Sequence, residues 1–196
     1  MNRVSALQQV PNDEPEKTPQ KEDDVPNEEQ QREEEEHKGD YLDVRSRPFL
    51  MKILRKQGDS QVLFADKVLK FTTSGKMKRR ILIITDFAVY LIDPLTGGLK
   101  RRIALAAVDK LCLSELHDNF FSVVIPTEYD LLMASTRKAE IATLLYEAIK
   151  ASAQYELEEL LNWCSFEYNA TADMIKEVLF EEVEGGVRTR IVTKKA

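Results

Sequence analysis

Cysteine is scarce in this chain of 196 residues: there are two, Cys112 and Cys164, beside one tryptophan and two histidines. Two cysteines are too few for a disulfide framework, so a reducing compartment, cytosol or nucleus, is expected. Long apolar runs are also missing. The longest hold four to six residues, such as Ile81–Ile84, against the roughly 18 to 20 needed to span a bilayer. The opening residues are polar and acidic, without the positive-then-apolar pattern of a secretory leader. Such a chain can touch a membrane but not cross it with a helix.

Patterns for catalysis and metal binding are equally thin. His37 lies in an acidic run and His117 in a turn, neither with Cys or carboxylate partners at metal-ligand spacing. There is no G-x-S-x-G nucleophile turn. Gly75-Lys76 lacks the upstream glycine and the following Ser or Thr of a phosphate-binding loop. Cys112, in an alternating run, and Cys164, beside Trp163, read as packing residues. A non-catalytic protein with no cofactor and no metal is expected.

What the sequence does have is charge, unevenly placed. It is 43% hydrophobic and 32% charged, with 28 Lys+Arg against 34 Asp+Glu and a formal net charge of −6. Length and composition allow one domain of ordinary size with a solvated appendage. Residues 1–40 carry 5 basic and 13 acidic side chains, a net −8; residues 51–110 carry 13 and 5, a net +8; residues 111–196 carry 8 and 15, a net −7. The basic middle invites an anionic partner that the total alone would argue against.

From Met1 to about Lys38 there is almost no apolar periodicity, and four prolines punctuate a run ending in Glu33–Glu36. This segment cannot bury enough surface to offset its ordering entropy, so residues 1–38 read as a disordered acidic tail. Tethered to a basic domain, it could fold back and compete with an anionic partner. From Gly39 apolar residues return, and Phe49–Arg55 is expected to be helical.

Seven short strand-like runs follow: Val62–Phe71, Arg80–Thr85, Ala88–Ile92, Arg101–Ala104, Val108–Leu113, Phe120–Ile125 and Tyr129–Ala134. Turn residues separate them, including Thr73-Ser74-Gly75, Asp93-Pro94 and His117-Asp118-Asn119. Ile141, Leu144, Leu145, Ala148 and Ile149 then recur at helical spacing, which predicts a helix over Arg137–Ala153. Seven strands closed by a C-terminal helix make an α+β fold, mostly β: a pleckstrin-homology-like antiparallel barrel. A short helix is expected over Glu156–Leu161. A hairpin of Ile175–Val183 and Val187–Thr193 around Gly185-Gly186 is expected to end the chain.

Particular runs carry a family resemblance. Gly39-Asp40-Tyr41-Leu42, the stretch Val62–Phe71, Ser74–Asp86, Ala88–Ile92, Leu99–Ile103, Leu116–Phe121 and Glu128–Leu132 together resemble, in order, the tail-homology domain of class I myosins. The resemblance covers residues 39–196, with the barrel core at about 60–153 and the hairpin extension at about 164–196. It implies binding of anionic phospholipids, phosphoinositides in particular, with Lys70, Lys78 and Arg80 at the headgroup-contacting positions. The chain has no room for a motor, so a free-standing relative of the tail is expected.

The residues support that site on their own terms. An inositol phosphate needs several converging cations, Arg through forked hydrogen bonds and Lys as a point charge. Lys76 and Arg79 would add field, and Lys100, Arg101 and Arg102, after the next loop of the same end, complete a supporting basic patch. Glu128 would oppose it. The bland reading of Lys76–Arg80 is a solvated hairpin whose charges discourage edge pairing. Nucleic acid is not expected, because no aromatics interleave the loop and the domain as a whole is not basic. The leading expectation is therefore a cytoplasmic adaptor, peripheral at membranes and linked to the cytoskeleton. The alternative is a structural interaction module docked on a cytoskeletal or ciliary assembly through actin- or microtubule-associated protein, because the fold serves both ends.

Overall fold

The computed structural model describes residues 39–153, 158–162 and 165–194. The acidic N-terminal tail, Trp163 and Cys164 lie outside the described residues. Helix α1 (Pro48–Gln57) opens on a proline, whose missing N–H would have had no helical partner. It stops at Gly58, where φ is 86° and the N–H bonds to the Leu54 and Arg55 carbonyls.

The seven expected strands are present: β1 (Val62–Phe71), β2 (Met77–Thr85), β3 (Ala88–Ile92), β4 (Leu99–Ala104), β5 (Lys110–Ser114), β6 (Phe120–Val124) and β7 (Leu131–Ala134). They form one antiparallel sheet in the order β4-β3-β2-β1-β7-β6-β5. Strand β1 meets β7 at Leu69↔Ala134 and Lys70↔Met133, the seam where the sheet turns back on itself. Helix α2 (Lys138–Ala153) closes the open side, placing Ile141, Leu145 and Ile149 in one core with Phe64, Leu82 and Phe121. This is the pleckstrin-homology-like architecture.

Period-two alternation sends β1 and β2 residues to two different cores. Phe64, Val68, Leu82 and Ile84 point into the barrel. Ala65, Ile81, Ile83 and Tyr90 point outward, under Leu50 and Leu54 of α1. Burial on both faces explains why Ile81–Ile84 is a continuous apolar run and not an alternating one.

Two expectations need correction. Where a short helix was expected over Glu156–Leu161, the chain forms β8 (Glu158–Asn162), parallel to β5 from Lys110↔Glu158 to Ser114↔Asn162. Strand β5 would otherwise expose an unpaired edge, and its ladder outweighs the local helix propensity of Glu and Leu. The terminal hairpin is also larger than expected. Strands β10 (Met174–Val183) and β11 (Gly186–Thr193) are joined by β9 (Ser165–Thr171) in a second sheet ordered β11-β10-β9. Its inner face, with Phe166, Val178 and Phe180, covers Cys112, Val124 and Leu132 on the outside of the barrel. Rings continue that contact from Phe71 to Phe120 at 5.2 Å and from Phe120 to Phe180 at 6.2 Å.

Candidate functional site

The barrel has a mouth at the end where the β1–β2 and β3–β4 turns lie together. The β1–β2 turn is built by its own residues. Thr72 N–H bonds to Lys76 O, Gly75 N–H to Thr72 O, and Lys76 N–H to Thr72 Oγ1, at 2.9, 2.9 and 3.0 Å. Gly75 supplies the left-handed corner, with φ of 80°.

Register then decides which cations meet. Lys70 lies opposite Lys78, and Arg80 opposite Val68, so Lys70, Lys78 and Arg80 share the face that continues the barrel interior outward. On β4, Arg101 pairs with Leu91 and takes the same face as Ile103. Four cations therefore converge at the mouth. Burial lowers the Lys70 ammonium from its usual value, and Arg101, Arg80 and Lys78, in that order, lower it further.

The anchoring of these groups differs. Arg80 reaches Asp93 at 3.3 Å, and Lys100 reaches the same carboxylate at 3.8 Å. The Leu95 N–H, together with that of Thr96 and these two cations, keeps Asp93 below the usual carboxylate range. Lys78, Arg79, Arg80, Asp93, Pro94 and Leu95 line a cavity of about 370 Å³. Across the mouth Arg101 donates from Nη2 to Glu128 Oε2 at 2.8 Å and to the Tyr129 carbonyl at 2.6 Å. Its Nη1 is buried without a hydrogen-bond partner. The Tyr129 ring lies 4.0 Å from the Arg101 guanidinium carbon and 5.3 Å from Lys70 Nζ. It is a shared aromatic platform for two cations.

Residues 31–195 match the family described as unconventional myosin tail, actin- and lipid-binding. The chain belongs to that family. Among relatives of this myosin-tail domain, myosin heavy chain IB of Acanthamoeba castellanii is 34% identical over 126 residues, 60% of this chain and 11% of its own. Myosin ID heavy chain of Dictyostelium discoideum is 30% identical over 127 residues, 58% of this chain and 12% of its own. The chain thus spans about a tenth of the length of these curated relatives. The hSac2 domain of the human phosphoinositide phosphatase Sac2 overlaps 62% of this chain and 90% of its own at 11% identity, with a TM-score of 0.46.

Within this tail-family domain the sequence-selected cations divide by face. Lys70, Lys78, Arg80 and Arg101 meet at the mouth. Lys76 is exposed in the turn, and Lys100 sits at its rim on Asp93. Arg79, opposite Leu69, takes the outer face: it borders the mouth cavity and also lines a second cavity with Lys67 and Asn119. Arg102 does not belong to the basic patch. It takes the outer face of β4, donating to Tyr90 Oη at 3.0 Å and to Asp59 Oδ2 at 3.3 Å. The run Lys100-Arg101-Arg102 reads as one patch, but strand alternation splits it. Sequence reasoning also missed Tyr129, whose only local signal is an aromatic beside Glu128 in a turn.

Proposed function

We propose that this domain is a non-catalytic adaptor that binds anionic phospholipid reversibly, its mouth receiving a phosphorylated inositol headgroup. Lys70 and Lys78 contribute point charges, Arg80 contributes a forked donor, and Arg101, covered and held by Glu128 and the Tyr129 carbonyl, adds positive field from the opposite side. The observation that carries this reading is the convergence of four cations on one face, with the Lys70 ammonium lowered by burial first and then by the other three. Such mutual repulsion is relieved by a bound polyanion. Among the described residues, Lys70, Lys76, Lys78 and Arg79 have no carboxylate partner. At about 1 kcal/mol per cation near an anionic leaflet, they give roughly 4 kcal/mol, about three decades of partitioning. That is adhesion without anchoring, consistent with a peripheral protein at the membrane or cytoskeleton.

The family description also names actin, so the test carries filaments beside vesicles. The 196-residue chain is sedimented with phosphatidylcholine vesicles containing phosphatidylserine or a phosphoinositide, with actin filaments and with microtubules, at matched salt. The reading expects preferential sedimentation with the phosphoinositide vesicles. Sedimentation with filaments alone would replace it with the interaction-module alternative.

A further inference from the structure

The second sheet has a connection to the mouth that its packing role does not require. Along β10, inward positions alternate as Lys176, Val178 and Phe180, all buried, so a lysine occupies a register that otherwise takes apolar side chains. Lys176 is 8% exposed. Its ammonium donates to the Thr73 carbonyl of the β1–β2 turn at 2.5 Å. No carboxylate lies within ion-pairing distance of it among the described residues. A bulge between Met174 and Ile175 immediately precedes it, a device that re-aims a side chain. The residue facing Ile175 across that bulge is Asn169, and it ties down the other side of the mouth. Asn169 N–H donates to Asp130 Oδ2 at 2.6 Å and its carbonyl accepts from Asp130 N–H at 2.8 Å, beside Tyr129. Lys176 packs its long apolar stem in this register and ends its ammonium on a backbone carbonyl of the other sheet, a tie that apolar packing alone does not need.

We propose that the β9–β11 sheet is a positioning element of the headgroup site, with Lys176 fixing the β1–β2 turn. The inference rests on the lipid reading above and deepens it. A preorganised turn holds Lys78 and Arg80 opposite Arg101, so it governs discrimination between a multiply phosphorylated ring and a simple anionic headgroup. Charge alone governs attraction to both.

The test compares Lys176→Met, Lys176→Arg and Lys194→Met on two vesicle types of equal surface charge, one with phosphatidylserine and one with phosphatidylinositol bisphosphate. Lys194→Met removes the same charge from the outer face of the same sheet. Lys176→Met is expected to reduce the bisphosphate preference about tenfold, the loss of one charge-assisted tie, with phosphatidylserine binding within about twofold. Lys176→Arg should restore the preference, and Lys194→Met should never lose it. If Lys176→Met keeps the preference while the Lys70→Ala, Arg80→Ala double variant loses it, the positioning role is overturned and the headgroup reading stands. If the double variant also keeps it, both are overturned. Should Lys176→Met fail to fold, native-state hydrogen exchange on the parent decides: Gly75 and Lys76 amides should open in one step with β10. Exchange of those turn amides while β10 stays protected would overturn the proposal.

Discussion

Arg101 and Arg102 are neighbours on β4, yet they belong to regions with opposite economies of charge. Arg102 enters a closed network on the outer face, where Asp59, 3% exposed, accepts from Arg102, Thr85 Oγ1 and Tyr90 Oη. Burial, with the Asp59 bond next, pushes the Tyr90 phenol up to about 12. One cation meets one carboxylate, and the hydroxyls are satisfied. Arg101 enters a mouth where cations outnumber carboxylates, Glu128 is half exposed, and one guanidinium nitrogen has no partner. The first set gathers its charges on a buried carboxylate, which holds the fold together. In the second the guanidinium is the covered partner, the carboxylate faces solvent and cations are in excess, the imbalance on which the proposed anion site draws.

The largest effect that separates the two regions is expected at Asp59. Removing this carboxylate takes the acceptor from the buried Tyr90 hydroxyl and from the half-buried Arg102 guanidinium, so Asp59→Ala should cost about 3 kcal/mol of stability, read by urea denaturation. Vesicle binding per folded molecule should not change. The Lys70→Ala, Arg80→Ala double variant should do the reverse. It loses about 2 kcal/mol of vesicle binding, roughly thirtyfold, while stability stays within about 1 kcal/mol. If both variants changed stability and binding together, the division between regions would fail.

Most of this fold was legible in the residues because its strands are local. Periodicity and turn chemistry located all seven barrel strands, and the spacing of Ile141, Leu145 and Ile149 located the closing helix. Strand β8 was not legible, since a parallel pairing with a strand 48 residues earlier in register leaves no local mark. Strand β9 did leave one: Phe166, Tyr168 and Ala170 alternate with Glu167 and Asn169. Lys70, Lys78 and Arg80 were singled out by the family resemblance, and a two-residue period across one hairpin is what puts them on one face. The partners of Arg101 and Arg102 come from residues 27 and 43 positions away, across the sheet, and sequence spacing carries nothing of them.

A smaller effect sharpens the comparison from the acidic side. Glu128 is the carboxylate that occupies Arg101 at 2.8 Å and faces any incoming anion. Glu128→Gln keeps the shape, removes the charge, and should strengthen vesicle binding about fivefold at low salt, the worth of one unit charge near the surface. The gain should fade at high salt, where the screening length shrinks to about 3 Å. Vesicle titrations at two ionic strengths read both outcomes, and an unchanged affinity would mean that Arg101 does not take part in binding.

The smallest effect is a pH dependence, and its sign follows from Lys70. Its folded value lies below the usual 10.5, through burial first and then the neighbouring cations. The charged form is therefore disfavoured by folding, so Lys70 lowers stability at neutral pH. That penalty is relieved as pH rises through the lowered value toward 10.5. Binding has the opposite slope. A bound anion favours the ammonium and raises its value, so in the same alkaline window binding takes up a proton and affinity falls as pH rises. An arginine introduced at position 70 stays charged throughout that window. Lys70→Arg should therefore flatten the alkaline decline in vesicle affinity while leaving neutral-pH affinity nearly unchanged. Identical pH profiles for the parent and this variant would remove Lys70 from the site.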